Sequence, residues 1–520
     1  MLSSTARDTA QSGPIGAEFY RVELDKVQRT LSSRHVQMYI ATVIGTGLFL
    51  GLGEVLAVAG PLGTLLVFIH IGLVGFCALA SITEMAALAP VSGSMSHYAA
   101  RWVDPALGFA VCAITFPAEV TAAGLLVGYW DENRDHIAIY ITLFIGVAFL
   151  VNFSGARYVG VNEVPSPACT YRHIRTFGDS IIGGLVVNLG GGPDHTRSVA
   201  LSYWRNPGPF VESPEPGARG RFIGLLLAVV PAAFSMNGME IITLAAAETR
   251  NPRRNLRVAM KTVFFRIFVC YILTSLVIGM LVPSNDPSLL TSSNTAAKSP
   301  FVIAFQRAGI QVLPHIINAV VLTSAMSSGN GMLFSASRLL FALGVQGHAP
   351  RVVTRLNNRG VPYVAVLVSG LFGFLAYLNV ANTASRVFSW LASLSAVGGL
   401  LNWWAIGLTY LRFYYGMRKQ GINPSDYAAL YRSRLQPYGA MWVVFWTTFL
   451  ILVSGIAVFW HFNGSDFVAA YINLPLYALL FVVWKVLKRT KVVRTSSFRL
   501  HDIMNFLTSN SRTEGSLGST

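Results

Sequence analysis

The chain has 520 residues, of which 53% are hydrophobic and only 12% charged. That is about half the charge of an ordinary globular chain, and with a mean hydropathy of +0.53 it excludes a soluble single-core protein in favour of a polytopic membrane protein. The formal net charge is +16 and the four cysteines (Cys77, Cys112, Cys169, Cys270) are scattered, so neither a disulfide framework nor a metal site is implied.

In chain order, residues 1–34 are polar, lack the apolar core of a signal peptide and read as a cytoplasmic tail. Residues 35–488 form the membrane domain, and 489–520 form a second cytoplasmic tail. Helix-length apolar stretches fall at 36–59, 62–88, 106–130, 136–153, 222–247, 263–283, 313–343, 363–380, 386–411, 440–461 and 466–487. One further stretch, Phe177 to Leu189, is short of the ~20 residues a spanning helix needs and carries Asp179. Charge argues for including it as segment 5. With twelve crossings and a cytoplasmic N-terminus, all but eight of the 39 Lys and Arg lie on one side, the positive-inside pattern. The net charge then faces anionic lipid, and no nucleic-acid partner is expected. The expectation is an all-α fold of twelve transmembrane helices, with segments 1–5 and 6–10 as an inverted repeat plus two more, and with segment 5 locally unstable.

Segment 1 contains TVIGTGLFLG, which sets Gly45, Thr46 and Gly47 near the bilayer middle. Segment 6 contains VPAAFSMNGMEIITL, where Pro231, Ser235, Asn237, Gly238 and Glu240 interrupt the apolar pattern at a similar depth. Interruptions at matching positions in two inverted halves point to a transporter's substrate site. A break at GTG would offer N–H groups to a carboxylate and carbonyls to an ammonium, which suits a zwitterion. The competing reading is that these glycines serve close helix packing.

Carboxyls inside spans are costly and tend to be functional. Glu119, in FPAEV of segment 3, is a candidate for a proton-linked carboxyl, against a structural hydrogen-bonding role, and Glu240 is similar. Glu84 and Glu248 lie near segment ends, where pairing with Arg101, Arg253 or Arg254 is the simpler expectation. His70 reads as a satisfied polar residue. Trp390 is a candidate lid over the substrate, against an interfacial anchor.

The ordered motifs VIGTGLFLG, AGPLGTLL, EMAALAPVSGS, RWVDPALGFA, PAEVTAA, AAETRNPRRN, SPFVIAF, RGVPYVAVLVSGLFGFLAYLNV and QPYGA resemble the fungal amino acid permeases of the amino acid-polyamine-organocation superfamily, over about Arg34 to Lys488. LGGGPDH and YWRNPG are most similar to the dicarboxylic amino acid permease branch. The resemblance implies twelve helices in the inverted repeat, plasma-membrane residence and proton-coupled amino acid uptake. It assigns the substrate carboxylate to Gly45, Thr46 and Gly47, and the amine side to the stretch from Phe234 through Ser235 to Gly238, with Glu240. The chain departs from the family in segment 1 (QMYIATVIGTG), before the PAE motif (FAVCAITFPAE) and in segment 5 (PSPACTYRHIRTFGDSIIGG). The family's fifth helix contains a lysine, and here none occurs between Lys26 and Lys261.

The sequence therefore points to a secondary transporter, an amino acid:proton symporter working by alternating access, with amino acid, protons and membrane lipid as partners. No cofactor is expected. With no GxxxxGK[ST] loop and no soluble catalytic domain, no enzymatic activity is expected either. The alternative is a sensor or non-transporting paralogue that keeps the site and has lost coupling, motivated by the departures in segments 3 and 5.

Overall fold

The structure, a computed structural model, describes residues 46–89, 94–111, 116–131, 133–154, 181–186, 188–189, 201–247, 252–290, 299–381, 384–422, 432–460 and 462–495. Its main helices are α1 (Leu52–Leu88), α2 (Ser94–Trp102), α3 (Phe116–Val127), α4 (Ile137–Ser154), α5 (Ala218–Met236), α6 (Ile241–Ala247), α7 (Pro252–Arg266), α8 (Thr274–Leu281), α9 (Val312–Val345), α10 (Tyr363–Leu371), α11 (Ala384–Lys419), α12 (Tyr438–Val453), α13 (Gly464–Tyr471) and α14 (Asn473–Lys488). Among the described residues, eight helical runs are long and apolar enough to cross a membrane, or nine if the bent pair α13–α14 is one span. The outward faces are apolar as well, with Leu150 70% and Val486 69% exposed, as lipid contact requires. The protein is an all-α polytopic membrane protein.

The expected first and second segments form one helical run, Gly47–Leu88, broken at Gly60. Gly60 has φ +77°, and a Cβ there would lie 2.9 Å from the Phe210 Cα and the Pro209 carbonyl oxygen. Only glycine combines that backbone with that close approach. The loop at 209–211 supplies what the bend loses: Leu62 N–H donates to Pro209 O at 3.0 Å, and Val211 N–H donates to Ala59 O at 3.3 Å.

The most extensive helix packing is α1 against α5, and α3 packs on α9 and α11. This places the two interrupted stretches side by side. Segment 3 is represented by a short helix, Pro105–Ala110, and the twelve-residue helix α3. Part of the weak fifth stretch is helical, residues 181–186. There Gly184 packs on Leu281 and Val277, at the end of the helical run through α8. Asp179 lies outside the described residues, as do Cys112, Cys169, Glu248, the whole N-terminal tail and residues 496–520, whereas Cys77 and Cys270 are buried.

At the far end of α14 the chain continues as a short strap. Asp104 accepts from Lys485 Nζ and from Thr490 Oγ1, Val493 N–H donates to Val103 O at 2.9 Å, and Arg412 donates to the carbonyls of Trp102 and Val493.

Candidate functional site

Segment 1 enters the described region at Thr46, and Gly45 lies outside it. Residues Gly47–Gly51 form a π-helical turn in which every residue is buried. Such turns are wider than an α-helix, recur at functional sites and leave the backbone pairing irregular. Opposite it, α5 ends at Met236, and four residues separate it from α6. Asn237 takes an extended conformation (φ −60°, ψ 149°) and Gly238 a positive φ of 88°. The segment 6 break expected from SMNGME is therefore present, and the segment 1 irregularity is a π turn.

The two stretches touch directly. Ser235 Oγ donates to Gly47 O at 2.6 Å and to Pro231 O at 2.9 Å, and Tyr271 Oη donates to Ser235 O at 2.7 Å. A Cβ on Gly47 would meet Ser235 Cα at 2.5 Å and Phe234 Cδ1 at 3.2 Å. In this conformation Gly47 thus admits the backbone of segment 6, the packing role weighed above for the GTG stretch. Phe234 is buried and lies edge-on to Phe388, with centroids 5.8 Å apart.

Glu119 is buried and carries hydrogen bonds from two other segments. Thr46 Oγ1 donates to its Oε2 at 2.9 Å, and Ser328 Oγ on α9 donates to its Oε1 at 3.0 Å. Both donors are neutral hydroxyls, so this carboxyl is joined to segments 1 and 8 without a cation from either. Glu240 accepts from Trp403 Nε1 at 3.3 Å. Trp390 stands apart from this cluster: its indole donates to Asp466 at 2.6 Å, and the Arg386 guanidinium lies 5.3 Å above its ring.

Sequence reasoning singled out Thr46, Gly47, Glu119 and Ser235, which the fold brings together, but did not find Ser328 or Tyr271. Ser328 sits in SSGNG, a run of small and polar residues inside an apolar segment, and that was the available signal. Asn237 was noticed only as an interruption. Its Nδ2 donates to Ser395 O at 2.7 Å, and Gly399 leaves so little room that a Cβ would lie 1.7 Å from Asn237 Oδ1. The amide thus pins the segment 6 break to α11. Glu84 accepts from Ser433 N–H at 3.4 Å, while the side chains of Arg253 and Arg254 lie outside the described residues. His70 packs edge-on against Trp446, with ring centroids 4.3 Å apart. Among the described residues no cluster of His, Cys, Asp or Glu could hold a metal ion.

A bundle of apolar helices with two irregular stretches crossing at its centre, and a buried carboxyl tied to one of them, defines a polytopic membrane protein with an internal polar site. The chain belongs to the amino acid permease family, whose model matches residues 35–497. It is 35% identical over 520 residues to the dicarboxylic amino acid permease of Saccharomyces cerevisiae, covering 96% of this chain and 83% of that one. It is 37% identical over 479 residues to the proline-specific permease of Emericella nidulans, covering 89% and 86%. With the lysine-specific permease of Saccharomyces cerevisiae it shares 34% identity over 488 residues, covering 92% and 78%.

Proposed function

We propose that the protein takes up amino acids across the plasma membrane by proton symport and alternating access, through twelve segments arranged as an inverted five-helix repeat plus two, with both termini cytoplasmic. The observation that carries this reading is the position of Glu119. Its carboxyl is hydrogen-bonded to Thr46 beside the segment 1 π turn and to Ser328 on segment 8. A proton arriving at Glu119 changes an acceptor-only group into one that also donates, and its departure reverses this, so either event changes the bonds that hold segment 1 against segment 8. Segment 1 in turn carries the Gly47 carbonyl that Ser235 of segment 6 grips. Protonation and the geometry of the crossing are thereby coupled through two hydrogen bonds.

In this reading the amino acid's carboxylate meets the backbone at Gly45, Thr46 and Gly47, and its amine meets the segment 6 stretch from Phe234 to Gly238 and Glu240. Trp390 closes over it. The site opens when segments 1 and 6 separate, releasing the carbonyl that Ser235 occupies. The relatives named above handle acidic, cyclic and cationic amino acids by name, and the carboxyls in the crossing here are Glu119 and Glu240. A second carboxylate on the substrate would lie near both, so neutral amino acids are favoured over acidic ones.

The test is uptake by Glu119→Gln, which keeps the shape of the side chain and removes its titration. Uptake that persists but no longer varies with external pH is the expected result. An unchanged pH profile removes Glu119 from coupling.

A further inference from the structure

Glu119 also lines a cavity of about 190 Å³ enclosed by α3, α4 and α9. Most of its wall is apolar, including Val120, Ala123, Phe144 and Met326, and among the described residues Glu119 is the one charged residue that lines it. Asn330, also on the wall, accepts at its side-chain oxygen from Asn152 Nδ2 at 2.6 Å. The cavity reaches the outside of the bundle between α4 and α9, where Thr323 is exposed and Val147 and Val151 are half-buried. The surface around that opening is apolar: Leu143 is exposed, and so are Leu150 and Ile316. The entrance therefore faces lipid.

We propose that this cavity is a ligand site entered from the bilayer, and that it takes a small lipophilic primary amine. The volume suits a single ring, since an apolar cavity of about 150 Å³ already holds benzene. The carboxyl supplies the polar end. A carboxylate offers about four acceptor positions, more than the hydroxyls of Thr46 and Ser328 fill. An amine crosses lipid uncharged. At Glu119 the carboxyl O–H bond breaks and an N–H bond forms on the amine, leaving an ammonium against a carboxylate inside an apolar pocket. Binding needs only the cavity and the carboxyl. Its consequence, that an occupied site stalls coupling, rests on the proton-linked reading of Glu119 given above.

The experiment uses the purified full chain in lipid nanodiscs and diisopropylcarbodiimide, a small membrane-soluble reagent for carboxyls in apolar surroundings. Activation of the carboxyl is followed by mass spectrometry as loss of the unmodified Glu119 peptide, which counts both the N-acylurea and, with an amine present, the amide formed when the amine captures the O-acylisourea and releases the urea. Wild-type protein is labelled, and benzylamine at ten times its half-protecting concentration slows labelling about tenfold by mass action. Ala148→Phe, which fills the cavity, abolishes labelling, and Met326→Ala, which widens it, speeds labelling. The proposal is overturned if wild-type Glu119 is not labelled, if Ala148→Phe is labelled at the wild-type rate, or if benzylamine gives no protection. An unchanged pH profile for Glu119→Gln uptake would remove the coupling role while leaving these labelling outcomes as they stand.

Discussion

At Gly47 the absence of a side chain lets two backbones approach: a Cβ there would lie 2.5 Å from Ser235 Cα. Because the obstacle is backbone, a methyl group has to push segments 1 and 6 apart. Gly47→Ala is expected to lower thermal stability by about 1–3 kcal/mol, the usual range for forced overpacking, and Gly47→Val to abolish uptake. Melting of the purified variants beside radiolabelled uptake checks both. Wild-type melting and uptake in Gly47→Ala would show that the contact is easily relaxed. Ser235→Ala removes the hydroxyl that bonds the Gly47 carbonyl, at an expected cost of about 1 kcal/mol, the usual net worth of one hydrogen bond. Thr46, Gly47, Ser235 and Glu119 were legible as polar or small residues in apolar runs. The Thr46–Glu119 bond was not, because it joins positions 73 residues apart and depends on how helices pack. Ser328 and Tyr271 went unnoticed for the same reason: nothing near them in sequence indicates their partners.

Among the elements, the turn at Gly60–Pro61 and the loop ahead of α4 each show how a connection is held. A residue with a Cβ at position 60 would combine a positive φ with contacts at 2.9 Å to the 209–211 loop. Gly60→Ala is expected to lower melting temperature and to loosen that loop, as read by faster amide exchange at Leu62 and Val211. Unchanged exchange would contradict the bridging role. Ahead of α4, Asp131 accepts from the Tyr140 hydroxyl, from His136 and from Asn133 N–H. These partners, Tyr140 first, hold its carboxyl down at about 2, below the usual 3.8. A depressed carboxylate adds stability that is present above about pH 4 and is lost as pH falls through about 2. The order this loop gives α4 should therefore survive at pH 4–5. Asp131→Asn should melt earlier than wild type at pH 6, and the difference should vanish near pH 2. A difference that persists at pH 2 would mean the carboxylate is not its source. The sequence showed where these segments ended but not what held the ends, since caps and bridges depend on loops distant along the chain.

Across the whole molecule, the apolar windows carried most of the fold. Helices α1, α4, α5, α9, α11 and α12 fall where windows of hydropathy placed them. Segment 3 was harder to bound, because its apolar window takes in two short helices, Pro105–Ala110 and the twelve-residue α3. Segment 5 carried no such window, and its helical residues 181–186 rest on the segment 7 end through Gly184. Accessibility labelling of single cysteines at Arg157 and Gly217, in a background without Cys169, tests the proposed crossing between them. Opposite faces support twelve segments, and cytoplasmic labelling at both would rule that topology out. In the proposed function, amino acid movement is tied to a proton through Glu119. Proteoliposomes on a solid-supported membrane measure this directly, as the charge displaced when alanine is added at fixed pH. Wild-type protein should give an inward current that grows as external pH falls, and Glu119→Gln should bind alanine, seen as thermal stabilisation, without that current. A pH-dependent current of wild-type size in Glu119→Gln would contradict the claim.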